Sequence, residues 1–194
     1  SIGMAPFFMN TAACLIVILI NQGLQRHGGD LAIGAYGIVN RVSFVFVMIV
    51  MGLNQGMQPI VGYNYGARQF NRVTRALKLT IISATTIMTF GFLVAELFPR
   101  AICMIFTTDE DLIQHAIKGM RIVFMCFPIV GFQIVTGNFF QSIGMAGKSV
   151  FMSLTRQLLF LLPGLLVLPY FWGTNGIWIS MPVSDALSSF VAFV

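Results

Sequence analysis

Charge is scarce in this sequence, and negative charge is scarcer still. Only 9% of the 194 residues are charged and six are Asp or Glu, too few to solvate the surface of an ordinary water-soluble domain. Two histidines, His27 and His115, stand apart without a second ligand or a carboxylate constellation. The three cysteines, Cys14, Cys103 and Cys126, are odd in number, widely separated and set in apolar surroundings, which excludes a disulfide framework and a clustered metal site. They read as small apolar packing residues. An intramembrane enzyme would need a nucleophile with its base, paired acids or a ligand cluster, and the apolar runs hold one central acid and no histidine, so the chain is not read as an enzyme. The net charge of +5 does not indicate nucleic acid as a partner, because no polar stretch interleaves cations with exposed aromatics. A positive-inside bias explains the charge better.

What is present is apolar. Hydrophobic residues make up 57% of the chain, with 19 Phe and 12 Met, and the mean hydropathy is +0.88. Several runs exceed the roughly 20 residues that cross a bilayer core. Six spans are predicted, over about 3–24, 31–61, 76–97, 119–143, 150–170 and 176–194. The fold class is therefore all-α, a polytopic membrane protein whose 194 residues form one six-helix bundle with the lipid bilayer as a partner. Pro128 is expected to kink the fourth span, and Pro163 and Pro169 to bend or break the fifth. Trp172 and Trp178, around the turn at 173–176, fit an interfacial aromatic belt. Residues 107–111 read as a helix start with a hydroxyl cap and first-turn carboxylates.

The stretch 52–67 carries the densest information. Gly52, Gly56, Gly62 and Gly66 are expected to let other backbones approach. Pro59 frees the carbonyl four residues earlier, with Asn54, Gln55, Gln58 and Asn64 at hand to satisfy it. Arg68, Arg72, Arg75 and Lys78 follow with no acid between them, which places this end, and both ends of the chain, in the cytoplasm. Polar side chains recur at helical spacing elsewhere: Asn10 with Asn21; Asn40, Asn54 and Gln58 on one face, with Arg41 and Gln55 on the next; Gln133 with Gln141. Arg41 either snorkels to the interface or meets an acid. Asp185 lies about ten residues into the last span, after Pro182 and before Ser188 and Ser189, and is expected to be the most function-sensitive residue unless Arg41 or Arg156 pairs with it. The run Gly147-Lys148-Ser149 is not a phosphate-binding loop, because Ser142 occupies the position where that motif needs its first glycine.

Residues 37–41 (Gly-Ile-Val-Asn-Arg), the whole of 52–67, and 141–148 with Arg156-Gln157 resemble the carboxy-terminal half of a multidrug and toxic compound extrusion (MATE) family transporter, of the MepA-like branch. The resemblance covers nearly the whole chain. It implies twelve helices in two six-helix lobes with a substrate cavity between them, and export of cationic amphiphilic small molecules in exchange for H+ or Na+ with no other cofactor. On that reading the chain is the second lobe, helices seven to twelve, and its partner is an amino-terminal lobe outside these residues. The start at Ser1 and the end within an apolar run suggest the same. One departure matters: the NorM-like branch has acids in helices seven and ten, whereas the first span here has none and the fourth has none in its interior. Coupling then falls to the other lobe, as in the DinF-like branch, or to Asp185. The alternatives are a lipid-linked saccharide flippase built on the same lobes and a non-transporting membrane scaffold.

Overall fold

The structure is a computed structural model that describes the backbone of residues 4–193 and the side chains of 11–190 other than Ala146. Among these residues there are helices and turns and no strand. The continuous helix Met4–Gly66 is broken at Gly29, whose φ of 61° and ψ of −158° lie outside helical geometry. Its two arms are α1 (4–28) and α2 (30–66). Next come α3 (Phe70–Leu97), the short α4 (Pro99–Met104), α5 (Glu110–Phe124) and α6 (Phe127–Ser142). A second long helical stretch, 146–193, is broken at Gly173 (φ 54°, ψ −133°), giving α7 (146–172) and α8 (174–193). Positive φ is strained for residues with a Cβ, so glycine is the residue that allows both breaks.

Counted as membrane crossings, α1, α2, α3, the bent pair α5–α6, α7 and α8 make six. The expected bundle is present, with different details. The helix of the fourth crossing starts at Glu110 and runs unbroken to Phe124 before turning 54° into α6, so residues 110–118 are continuous with the crossing's helix. Its cap is the Asp109 carboxylate, which accepts from the amides of Asp111 and Leu112. The Thr107 hydroxyl instead accepts from the Asp109 amide. The bend lies at Met125–Cys126, and Pro128 occupies the first turn of α6, where its missing N–H leaves no intrahelical bond unmade. In α7 the irregularity is a π-helical turn, Thr155–Leu161, rather than a break at Pro163 or Pro169.

Two apolar clusters hold the bundle together. The larger joins α2, α3, α5 and α6 through residues such as Val50, Met88, Met120 and Phe124. The smaller joins α1, α7 and α8 through Ile16, Leu24, Leu165 and Ile177. Lipid is as apolar as these side chains, so close fit and not water exclusion decides the pairing. A Cβ at Gly131 of α6 would sit 3.1 Å from the Ala84 carbonyl oxygen of α3. Trp178 is buried against Gly119, where a Cβ would come within 2.5 Å of the indole. It is a packing residue; Trp172 alone of the pair is exposed.

The bundle has two chemically distinct ends. The α2–α3 and α6–α7 turns share one, where Gly62 faces the Ser142 carbonyl. This end carries Arg68, Arg72, Arg75, Lys78 and Lys148, all exposed and without an acidic residue among those described. The opposite end gathers Asp30, Glu96, Asp109, Glu110 and Asp111, five of the six acids in the chain. Arg100 pairs there with Glu110 at 2.9 Å and Arg121 with Glu96 at 3.4 Å.

Candidate functional site

Three helices line a half-open cavity of about 430 Å³ toward the basic end of the bundle. Val47 and Met51 come from α2, Gln133, Asn138 and Gln141 from α6, and Ser149, Met152, Ser153 and Arg156 from α7. Amides and hydroxyls at this depth face a cavity because lipid would leave them unpaired.

Helix α7 positions the one charged residue of the wall. Arg156 belongs to the π-helical turn, whose wider i→i+5 bonding shifts the residues after it relative to a regular α-helix. Its NH1 donates to the Asp185 Oδ1 of α8 at 3.0 Å. The arginine side chain is 35% exposed and the carboxylate 18%. Asp185 does not line the cavity; it stands behind the guanidinium. Its backbone carbonyl accepts from the hydroxyls of Ser188 (3.1 Å) and Ser189 (2.7 Å). Those serines therefore brace the helix turn and do not hydrate the carboxylate.

A hydrogen-bonded chain links this turn to α6. The Gln133 amide donates to Ser188 Oγ at 2.5 Å. Because the Ser188 proton goes to the Asp185 carbonyl, Oγ can only accept, which fixes the Gln133 NH2 toward it. The other end of that amide, Oε1, is buried and makes no hydrogen bond.

Of the residues singled out from the sequence, Gln133, Gln141 and Arg156 meet at this cavity, with Asp185 one bond behind. Gln58 reaches its edge, donating to Asn138 Oδ1 at 3.4 Å. The others lie elsewhere. Asn54 is buried and its amide donates back to the Val50 carbonyl; Asn64 does the same to Ile60. Neither caps the carbonyl freed by Pro59, so the expected local satisfaction is replaced by bonds one turn back. Asn40, Arg41 and Gln55 are exposed away from the cavity. Arg41 meets no acid among the described residues. Asn10 lies outside the residues whose side chains are described. Of the glycines of 52–66, Gly62 does meet another backbone, with the Ser142 carbonyl oxygen 3.5 Å from a built Cβ, whereas Gly52, Gly56 and Gly66 have nothing within 4 Å. Sequence reasoning overlooked Asn138, Ser149 and Ser153. Asn138 lies three residues before Gln141, a spacing that could have flagged it.

The fold and this cavity can now be set beside known proteins. The MatE family model matches residues 3–166. The multidrug export protein MepA of Staphylococcus aureus is 23% identical over the whole chain, and that of Staphylococcus haemolyticus 24% identical over 98% of it. The chain spans about two fifths of the length of these relatives, 42% in each case. Among solved structures, the MATE multidrug transporter DinF-BH is 38% identical with a TM-score of 0.85, over 98% of this chain and 43% of that one. An outward-facing MATE family transporter of the MOP superfamily superposes with a TM-score of 0.91 at 18% identity, over 98% of this chain and 43% of the other. With most of its length matched by the family model and its helices superposing on part of those transporters, the chain belongs to the MatE family of multidrug and toxic compound extrusion (MATE) transporters.

Proposed function

We propose that the full-length protein is a secondary multidrug antiporter of the cell membrane. It exports cationic amphiphilic compounds in exchange for H+ or Na+ by alternating access between this lobe and an amino-terminal one. The observation that carries this reading is the match of the chain to the MatE family, with MepA multidrug export proteins among its relatives. The substrate path is assigned to the space between this part and the amino-terminal one, apart from the cavity that Arg156 lines. The MepA relatives are multidrug export proteins, which supports the same substrate class.

Asp185 is already met by Arg156 at 3.0 Å. We therefore assign the cation-exchanging acid to the amino-terminal lobe and give Asp185 the task of holding Arg156. The flippase alternative is less well supported: a pyrophosphate would call for several cations, and Arg41 and Arg121 both stand away from the cavity, the latter paired with Glu96.

The test is uptake or efflux of a fluorescent cation, ethidium, by vesicles containing the full-length protein under an imposed Na+ or H+ gradient. Gradient-driven movement above empty vesicles is the expected result. No movement under either gradient would reject the antiporter. Vesicles containing only these 194 residues are expected to show none, because one lobe supplies one wall of the pathway.

A further inference from the structure

We infer that the cavity between α2, α6 and α7 binds an anionic group, a single phosphate or carboxylate, with Arg156 as the residue that receives it. This stands on the cavity alone and does not depend on the drug-export reading.

The charge of the wall is the first argument. Arg156 is the one charged residue lining the cavity, and the remaining polar lining groups are the neutral side chains of Gln133, Asn138, Gln141, Ser149 and Ser153. Among the described residues no carboxylate faces the space, so a cation entering it would meet the guanidinium first, with its charge only partly offset by Asp185 behind it. An anion would meet an attractive one. A low-dielectric surrounding strengthens both effects.

The donor count is the second. A guanidinium offers five N–H donors in a planar fork, and Asp185 takes one of them, through NH1. The pairing that uses both prongs on a carboxylate or phosphate is the strong one, and here it is unmade. Asp185 holds one prong of the arginine while leaving most of its fork available. The greater exposure of Arg156, 35% against 18% for Asp185, agrees with the arginine being the ligand-facing partner.

The third argument is the rest of the wall. Gln133 is held by Ser188 with its Oε1 buried, and Val47, Met51 and Val130 offer an apolar wall for the rest of an amphiphile. The volume lies within the roughly 300–1,000 Å³ of small-molecule pockets. One guanidinium suits one anionic group, not a pyrophosphate.

The test uses the full-length protein in a neutral detergent, with binding read by the ligand-dependent rise in melting temperature. The probes are decyl phosphate, decyltrimethylammonium and inorganic phosphate. Decyl phosphate is expected to bind at least tenfold more tightly than the ammonium compound. Arg156→Gln strands Asp185 and could unfold the lobe, so the decisive variant is the neutral pair Arg156→Gln/Asp185→Asn, expected to fold and to lose at least tenfold in decyl phosphate affinity. Asp185→Asn alone releases Arg156 and should tighten that affinity severalfold. Tighter binding of the ammonium compound, full decyl phosphate affinity in the neutral pair, or weakening by Asp185→Asn would each overturn the inference. Inorganic phosphate binding as tightly as decyl phosphate would support a free anion as the ligand; binding by decyl phosphate alone would support a headgroup. Because the readout is binding, it stands apart from any failure of ethidium transport.

Discussion

At one end of this lobe most of the glycines are open and the charges are all positive; at the other several glycines are filled by neighbours, although Gly29 and Gly173 at the helix breaks stay open, and two ion pairs form. Gly52, Gly56 and Gly66 have free space where a Cβ would go, whereas Gly119 lies against Trp178, Gly34 against Leu112, and Gly176 against the backbone of Leu168. Five exposed cations stand without acids at the first end, while the second holds the Arg100–Glu110 and Arg121–Glu96 pairs and the Asp109 cap. The contrast teaches that a glycine-rich sequence does not announce what its glycines do. The acidic end is a packed junction of helices; the basic end is an open rim beside the cavity.

The sharpest way to break this contrast is orientation, which is all or none. If the basic end is cytoplasmic, Gln69→Cys in the full-length protein resists membrane-impermeant thiol reagents in intact cells, and Asn175→Cys at the other end is labelled. Cys103 is fully buried, but Cys14 is exposed and Cys126 half-buried, so both variants are made in a background with the three native cysteines replaced by Ala. The reverse labelling pattern would invert the topology.

Next in size is packing. Gly119→Leu must displace a buried tryptophan and should cost about 1–3 kcal/mol, the usual range for overpacking, seen as a lower melting temperature of the full-length protein. Gly176→Ala should behave similarly, since the obstruction there is backbone. If either substitution is neutral, the junction is looser than described. Asp109→Ala removes the α5 cap and should cost about 1 kcal/mol. The smallest effect belongs to the open end: Gly56→Ala meets nothing and should stabilise by about 0.5–1 kcal/mol through helix propensity. Destabilisation on that substitution would show that a neighbouring surface covers the α2 face in the full-length protein.

Much of the bundle was legible beforehand because span length and hydropathy follow directly from bilayer thickness. The six crossings, the turn near Gly29 and the basic cluster could be read in that way. What escaped was whatever depends on a distant partner. Trp178 has the flanks of an interfacial residue, and only Gly119, far earlier in the chain, makes room to bury it. The Asn54 and Asn64 amides had two local options and took the carbonyl one turn back. For the cavity, Gln133, Gln141 and Arg156 were legible by spacing and by the rarity of charge. Asn40, Arg41 and Gln55 share those signals and nevertheless face outward, because periodicity defines a face without saying what covers it. Asp185 was recognised as costly to bury; its partner was one of two named arginines, and the fold chose Arg156.

The π-helical turn at Thr155–Leu161 has a consequence for how this wall could have arisen. Such a turn is a regular α-helix with one residue added, and the addition is absorbed within the turn. Deleting a single residue, Leu158 for example, should return α7 to ordinary α geometry while both flanking segments keep their contacts. The residues on either side would then be offset by about 100° relative to each other, the angle of one α-helical residue. Arg156 could no longer face the cavity while Leu161 and Leu165 remain in the α1–α8 core. The cavity charge and the core packing are thus separable by one codon, so related lobes could gain or lose a charged wall without refolding.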